Sequence, residues 1–127
     1  MRSSVEQGAL IGVGFAIGDG AVNGTARFVA SPSELDTLRR GEILLAEDVT
    51  PEWGAGLERA VCIITHNGDP SCHVAGLSRA LNIPVVVGAG TGASRIWSGA
   101  RLAVSCQEGI GRVHEVPEPS VNVAQSA

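Results

Sequence analysis

One histidine in this sequence occupies a position where phosphoryl chemistry is possible. His73 ends the segment THNGDPSCH, residues 65–73. The apolar run from Ala60 to Thr65 predicts a buried strand before this segment, and the helical spacing of apolar residues from Ser71 to Leu81 predicts a helix after it. This arrangement places His73 in the first turn of the helix.

The first turn of a helix favours a histidine that carries a phosphoryl group. Unpaired backbone N–H groups and the positive end of the helix dipole collect there and stabilise a bound anion. The same field disfavours the imidazolium, so the ring stays neutral and nucleophilic. His73 is therefore the candidate phosphoryl carrier, and the alternative is a histidine that only caps a helix.

Other polar residues of this region have simpler interpretations. Adjacent residues on a helix point about 100° apart and no oriented acid is evident, so Cys72 is interpreted as a packing residue and not as a nucleophile. Arg79 lies on a different side of the helix from His73, which favours a salt bridge or a partner contact. His66 could touch phosphate, but an ordinary loop residue is the simpler interpretation, and His114 is interpreted in the same way.

Short β-branched runs separated by glycines predict a domain of short strands and tight turns. Together with short helices, these strands predict an α/β layered domain. The predicted strands are Leu10 to Ile17, Gly24 to Val29, Ile43 to Ala46, Ala60 to Thr65, Ile83 to Val87, Arg101 to Ser105 and Arg112 to Glu115.

Two pairs of a hydroxyl residue followed by proline predict short helices. Ser31-Pro32 begins a helix that should stop before Gly41, and Ser31 and Glu34 form the two halves of a capping box. Thr50-Pro51 begins a second helix that should end near Arg59. Asn82 is predicted to stop the third helix, Ser71 to Leu81, in a left-handed conformation.

Composition limits the class of protein. At 127 residues and 13.0 kDa the chain fits one domain,. Its 44% hydrophobic and 17% charged residues exclude a disordered chain, and its apolar runs are too short to cross a bilayer. The formal net charge of -4 argues against a nucleic-acid partner, because proteins that bind phosphate backbones concentrate Lys and Arg. We expect a soluble protein with no membrane partner.

The cysteines and the chain ends give further expectations. Cys62, Cys72 and Cys106 lie in no CxxC pair, which indicates neither a disulfide framework nor a zinc site and suits a reducing cytoplasm. The N-terminus has no apolar stretch long enough for a signal peptide. Residues 117–127 are small, polar and interrupted by prolines, so we expect a domain over residues 1–116 followed by a flexible tail.

The glycine-rich segment GAGTG at residues 88–92 follows a predicted strand. It lacks the GxGxxG spacing of a dinucleotide-binding loop. We therefore interpret it as a turn, and a small nucleotide-binding protein built on it is the weaker alternative.

Several short motifs occur in a fixed order along the chain: GEILL at 41–45, PEW at 51–53, GDPSCH at 68–73, Ser78-Arg79 followed by NIPVVVG at 82–88, and VSCQEG at 104–109. In this order they resemble the mobile phosphohistidine domain of phosphoenolpyruvate (PEP)-utilising enzymes. That domain is shared by phosphoenolpyruvate synthase (pyruvate, water dikinase), pyruvate phosphate dikinase and enzyme I of the sugar phosphotransferase system. The similarity covers residues 12–115 and is closest to the synthase, and ordered motifs are more specific than a single one.

The sequence departs from the family pattern at a few positions. Asp69 and Asn82 stand where the family has glycine, Ser71 replaces threonine, and Gly76 and Ser78 replace larger or apolar helix residues. Asp69 could act as an N-cap that competes with phosphate for the N–H groups, and its charge would repel phosphate. These changes bear on efficiency more than on fold.

The resemblance implies a fold and a site. The fold is a swivelling β/β/α phosphohistidine domain of the α/β class. His73 would accept a phosphoryl group from ATP or PEP and pass it to an acceptor such as pyruvate, with Gly68, Ser71 and Cys72 supporting the phosphate. The Ser71 hydroxyl matches the family position that supports the phosphohistidine, although N-capping of the helix explains it equally well.

The resemblance also implies partners. They are an ATP-binding (ATP-grasp) domain or subunit and a barrel domain or subunit of the PEP/pyruvate type. Mg and ATP would be bound on those partners, with no cofactor or metal on this chain. The sequence has no glycine-rich ATP-binding loop with a lysine, and it is too short to include the PEP/pyruvate-type barrel. We therefore expect a phosphotransferase component that is not self-sufficient. The alternative is a non-catalytic docking or regulatory module that retains the fold.

Overall fold

Within the described residues, seven strands close into a barrel. The computed structural model describes residues 9–49, 51–67, 76, 79–90 and 98–116. The strands are Ala9–Ile17 (β1), Gly20–Phe28 (β2), Ile43–Ala46 (β3), Cys62–Thr65 (β4), Val85–Val87 (β5), Arg101–Gln107 (β6) and Ile110–Glu115 (β7). Around the barrel they follow the order β1-β5-β4-β3-β2-β6-β7, and β7 pairs back to β1. The result is a mixed α/β protein in which strands predominate.

Strands β2, β3, β4 and β5 form a parallel half. The last three are buried along their whole length, as expected for parallel strands covered on both faces. Two 3-10 helices, Pro32–Thr37 and Pro51–Arg59, cover the outer face of this half. Leu35 and Trp53 of these helices pack against outward-facing residues such as Ile63 in one hydrophobic cluster.

The barrel interior holds a second hydrophobic cluster. Its members come from alternate positions of the strands, since successive side chains of a strand point to opposite faces. In β6, for example, the inward residues are buried and their neighbours are only partly buried. The buried residues of this cluster are Ala26, Ile43, Leu45, Cys62, Ile64, Val86, Ala89, Leu102, Val104, Cys106 and Val113.

Strand β1 closes the barrel by pairing with β5 on one side and β7 on the other. Gly14 of β1 lies directly opposite Gly111 of β7. A Cβ atom on Gly14 would lie 2.5 Å from the carbonyl oxygen of Val87, and one on Gly111 would lie 2.6 Å from a methyl carbon of Val86. Both positions therefore require glycine for the strands to approach this closely.

The antiparallel half joins β2, β6, β7 and β1. Strands β6 and β7 form a hairpin through Glu108 and Gly109, whose φ angles of 54° and 81° are those of a type I′ turn,. The pairing of β1 with β7 shifts register between Leu10 and Gly12, as in a β-bulge,. At the far end of this pair, Ala9 lies opposite Glu115.

The structure confirms the predicted strands, with changes in length. The predicted strand Ile43 to Ala46 has the observed bounds, β2 begins at Gly20 and not at Gly24, and β5 is reduced to Val85–Val87. The two short helices occur where predicted, but both are 3-10 helices. Among the described residues, no helix has the length and hydrophobicity needed to span a bilayer.

The predicted capping box at Ser31 is wrong in part. The Ser31 side chain makes no capping hydrogen bond, because its hydroxyl pairs with the Ser33 hydroxyl at 2.9 Å. The Glu34 half is present but shifted by one residue, since its carboxylate accepts a hydrogen bond from the backbone N–H of Ala30. The tighter 3-10 turn changes the positions of these groups relative to an α-helix.

The third predicted helix, Ser71 to Leu81, lies mostly outside the described residues. The described members, Gly76 and residues 79–81, are helical. Asn82 has a φ of 60°, which confirms the predicted left-handed stop. The predicted tail over residues 117–127 lies outside the described residues.

A partly buried ion pair holds β2 against the segment before β3. Arg27 donates to both carboxylate oxygens of Glu42, at 2.8 and 3.0 Å, and the backbone N–H of Arg39 donates to the same carboxylate. Burial alone would raise the pKa of Glu42. The hydrogen bonds and the positive charges of Arg27 and Arg39 together outweigh it, so the pKa lies below its ordinary value.

We expect Glu42→Gln to destabilise the protein by about 1–3 kcal/mol at pH 7, the usual contribution of hydrogen bonds to a charged group. A carboxyl whose pKa is lowered by folding stabilises the protein above its unfolded pKa, and this stabilisation is lost as the pH falls through the folded pKa. Urea unfolding at pH 7 and pH 3 should show the difference from wild type shrinking in acid. Glu47→Gln, at an exposed glutamate, is the control; an equal loss at both pH values would contradict the assignment.

We expect Gly14→Ala to destabilise the barrel by about 1–3 kcal/mol, as overpacked core substitutions do. Gly76→Ala is the matched control, because nothing lies within 4 Å of a Cβ atom there and alanine favours a helix over glycine by about 0.5–1 kcal/mol. Urea unfolding of both variants checks the pair. Wild-type stability of Gly14→Ala would show that β1 can move away from β5.

Candidate functional site

The carboxyl ends of β3, β4 and β5 lie at one edge of the barrel. These strands are parallel, and their register places Ala46 beside Thr65 and Ile64 beside Val86. The chain leaves β4 at His66 and Asn67 and enters the segment that carries His73. Because the connections at the carboxyl ends of parallel strands converge, this edge is where binding groups usually gather.

Backbone hydrogen bonds continue across this edge beyond the strands. The N–H of His66 donates to the carbonyl of Ala46 at 3.0 Å, and that of Asn67 donates to Glu47 at 3.0 Å. The N–H of Ala89 donates to the carbonyl of Thr65 at 2.9 Å, and that of Gly90 to His66 at 3.4 Å. The segments that follow β3, β4 and β5 are thus held together as one platform.

Thr65 fixes the exit from β4. Its side chain is fully buried, and its hydroxyl donates to the carbonyl of Asn67 at 2.6 Å. The carbonyl of Asn67 also accepts a weaker bond from the N–H of Gly88 at 3.4 Å. A buried hydroxyl with a backbone partner sets the direction in which the chain leaves the sheet.

His66 projects from this platform. Its ring is exposed, and Nδ1 lies 3.0 Å from the carbonyl oxygen of Gly90. A carbonyl only accepts, so Nδ1 carries the hydrogen, and in the neutral ring Nε2 is the nitrogen with the lone pair. Gly90 and Gly88 have left-handed φ angles of 61° and 68°, which direct the loop after β5 toward this histidine,.

The residues expected to carry the chemistry lie outside the described residues. These are His73 and the phosphate-supporting Gly68, Ser71 and Cys72. The structure describes both sides of them: Asn67 at the platform, and the helical residues Gly76 and Arg79, both exposed. Farther along this helix, Leu81 packs against the hydrophobic cluster that lies between the 3-10 helices and the parallel strands. This contact fixes the helix on the barrel.

The two described cysteines are unsuited to nucleophilic chemistry. Cys62 and Cys106 are both buried and free. Burial raises the pKa of the Cys62 thiol well above its ordinary value, and it also raises that of Cys106. The described residues contain no group of three or more His, Cys, Asp or Glu side chains that could hold a metal ion.

Sequence reasoning missed the contact between His66 and Gly90. The two residues are 24 positions apart, and they meet because β4 and β5 pair in parallel. A signal was present in Gly88 and Gly90 of the GAGTG segment, whose positive φ angles favour glycine,. The partner of that segment was not readable from the sequence.

A family model described as the mobile domain of PEP-utilising enzymes matches residues 38–109, more than half of the chain. Similar proteins include the phosphoenolpyruvate synthase of Aquifex aeolicus, 38% identical over 103 residues, which covers 80% of this chain and 12% of that protein. The phosphoenolpyruvate synthase of Escherichia coli strain K12 is 35% identical over 103 residues, covering 81% and 13%. The chain thus spans only a small part of these relatives.

Solved structures show the same kind of fold. An NMR solution structure of Enzyme I (nEIt) matches with a TM-score of 0.53 and 30% identity over 71% of this chain and 36% of that chain. The crystal structure of a muramoyltetrapeptide carboxypeptidase from Oxalobacter formigenes matches with a TM-score of 0.53 at 17% identity, covering 91% and 53%. The second likeness concerns the fold alone.

We expect His66→Asn to retain the contact with Gly90, because the asparagine amide nitrogen can occupy the position of Nδ1. His66→Ala and His66→Gln should lose it and speed hydrogen exchange at the Gly90 amide several-fold, as expected for an exposed hydrogen bond worth about 0.5–1 kcal/mol. His114→Ala, at a histidine on β7, is the control. Identical exchange in all four variants would show that the contact does not hold the platform.

Proposed function

This chain belongs to the family of mobile domains of PEP-utilising enzymes, and from that membership we propose that it is a phosphoryl carrier whose phosphoryl group is held by His73. The single observation that carries the proposal is the position of the GDPSCH motif. It begins directly after Asn67, at the platform formed by the ends of the parallel strands. The described helical residue Gly76 follows three positions after His73.

Helical spacing supports an accessible His73. If the helix that includes Gly76 and Ala80 begins before His73, these three residues share one face, because positions i, i+3 and i+7 align. Gly76 and Ala80 are both exposed, and both side chains are small. Neither of these two described side chains is large enough to obstruct a phosphoryl donor that approaches this face.

The transfer we propose has two steps. A ring nitrogen of His73 attacks the phosphorus of the donor, the bond from phosphorus to the donor oxygen breaks, and a phosphohistidine forms. An acceptor oxygen, for example that of pyruvate enolate, then attacks the same phosphorus and releases the neutral histidine. Splitting one transfer through a covalent histidine keeps each step local and in line. Gly68, Ser71 and Cys72 would support the phosphate between the steps.

Partners would supply the groups that this chain lacks. Its curated relatives carry the name phosphoenolpyruvate synthase, and this chain spans 12% of the first of them. We propose an ATP-grasp partner that binds Mg and ATP, a PEP/pyruvate-type barrel that binds the acceptor, and a cytoplasmic location. This chain itself would bind neither metal nor cofactor.

A swivelling motion is compatible with the way the barrel ends. Ala9 and Glu115 lie directly opposite each other at the ends of β1 and β7. Connections to neighbouring parts would therefore leave the barrel from adjacent points, and a body held in this way can rotate between two partner sites. We propose the swivelling β/β/α arrangement over residues 1–116, with residues 117–127 as a flexible tail.

Asp69 favours a second candidate function. It stands where the family has glycine, and its carboxylate would compete with phosphate for backbone N–H groups and repel it. A chain whose phosphate site is disabled in this way would act as a non-catalytic docking or regulatory module. Phosphorylation of the wild-type chain separates the two candidates.

We expect labelled ATP and the cognate ATP-binding polypeptide to convert the chain to an acid-labile, base-stable phosphoprotein. His73→Ala should remain folded and lose the label, while His66→Ala and His114→Ala should keep it. The isolated chain should neither hydrolyse ATP nor form PEP. If the His73→Ala variant is still labelled, another residue carries the phosphoryl group. If the wild-type chain is not labelled, the non-catalytic docking module is favoured.

A further inference from the structure

Strand β1 has the sequence of a strand covered on both faces. Its nine residues, ALIGVGFAI, include no polar side chain, whereas an antiparallel strand with one face in water alternates apolar and polar residues. Ile11 and Ala16 pack into the barrel interior. The outward residues Leu10, Val13 and Phe15 are 53%, 49% and 51% exposed. Their character indicates that something outside the barrel covers them.

These outward residues belong to a larger patch that crosses to β7. Phe15 lies opposite Ile110, which is 40% exposed, and Val13 lies opposite Arg112. Residues directly opposite on an antiparallel pair share a face and lie within contact distance. We define the outer patch as Leu10, Val13, Phe15, Ile110 and Arg112. Large contiguous apolar surfaces mark interaction sites.

Arg112 gives the outer patch its charge. It is exposed, and it forms no ion pair with any residue in the described part of the chain. The outer patch contains no carboxylate, so an isologous dimer built on it would cover each Arg112 and leave its charge unpaired, which is unfavourable. A different protein that offers a carboxylate among apolar side chains is the complementary occupant.

The outer patch extends to the candidate site. Phe15 also lies opposite Val87, the last residue of β5. Val87 leads directly into residues 88–90, and the carbonyl of Gly90 contacts His66. A protein that covers Phe15 therefore lies beside the loop that contacts His66.

We propose that the outer patch is the docking surface for the ATP-binding partner, whose contact surface presents a carboxylate among apolar side chains. The inference rests on the proposed function, since a carrier must bind its donor. The chain has a net charge of -4, and a phosphoryl group adds further negative charge. An acidic contact surface thus binds the unphosphorylated carrier more tightly than the phosphorylated one. A donor needs this preference, because it must bind the empty carrier and release the loaded one. An acceptor needs the opposite preference.

The test measures labelling of the chain by the ATP-binding polypeptide that phosphorylates it, with the chain as the varied substrate. Arg112→Glu and Phe15→Ser should each raise KM about tenfold, as loss of an interface hot spot does, and leave kcat unchanged. Arg40→Glu, at an exposed arginine outside the outer patch, makes the same change in net charge and should alter KM less than about twofold. Added NaCl should raise the wild-type KM and affect Arg112→Glu less.

Each other outcome overturns the proposal. An unchanged KM in both patch variants removes the docking surface while the proposed function stands, whereas a wild-type chain that is never labelled removes the proposed function itself. A wild-type dimer in sedimentation equilibrium that Arg112→Glu dissociates makes a second copy the occupant. If the phosphorylated chain binds the donor more tightly than the unphosphorylated chain does, the charge argument for the donor as the occupant is wrong. Phe15→Ser also changes a contact of β1, so the Tm of this variant is measured. If Phe15→Ser is unfolded, the KM of Arg112→Glu alone decides the test.

Discussion

The packing of Val86 against two glycines is the constraint on which this structure depends. Gly14 and Gly111 face each other across β1 and β7, and both lie against β5 at distances that leave no room for a Cβ atom. This contact joins the parallel half to the antiparallel half and closes the barrel. It also fixes the end of β5, because Gly14 lies against the carbonyl of Val87. The position of the candidate site therefore follows from how the barrel closes.

At the candidate site, hydrogen bonds fix the backbone, whereas described side chains such as that of His66 are exposed to solvent. The buried hydroxyl of Thr65 and the bonds from His66 to Ala46 and Gly90 hold the segments that leave the parallel strands. The exposed His66 and Gly76 lie on either side of the segment that carries His73. A fixed backbone with accessible side chains suits the carrier role proposed for His73, because positioning contributes much of the acceleration of phosphoryl transfer.

The two halves of the barrel differ in what covers them. The 3-10 helices bury the outer face of the parallel half in a hydrophobic cluster that includes Trp53 and Leu57. The antiparallel half carries the outer patch, where large exposed apolar residues lie beside Arg112. The paired strand ends at Ala9 and Glu115 belong to the same half. Elements of this chain therefore cover the outer face of the parallel half, whereas the outer patch of the antiparallel half stays exposed.

The sequence alone determined what depends on neighbouring residues. The apolar run Ile43 to Ala46 predicted its strand, Asn82 predicted a left-handed helix stop, and the ordered motifs predicted the family. The same local logic selected His73, which lies outside the described residues. The tertiary structure decided which strands pair, how β1 closes the barrel, that His66 meets Gly90, and that one face of β1 stays exposed. These features depend on contacts between residues far apart in the chain, and local patterns of hydrophobicity and turn residues do not specify such pairs.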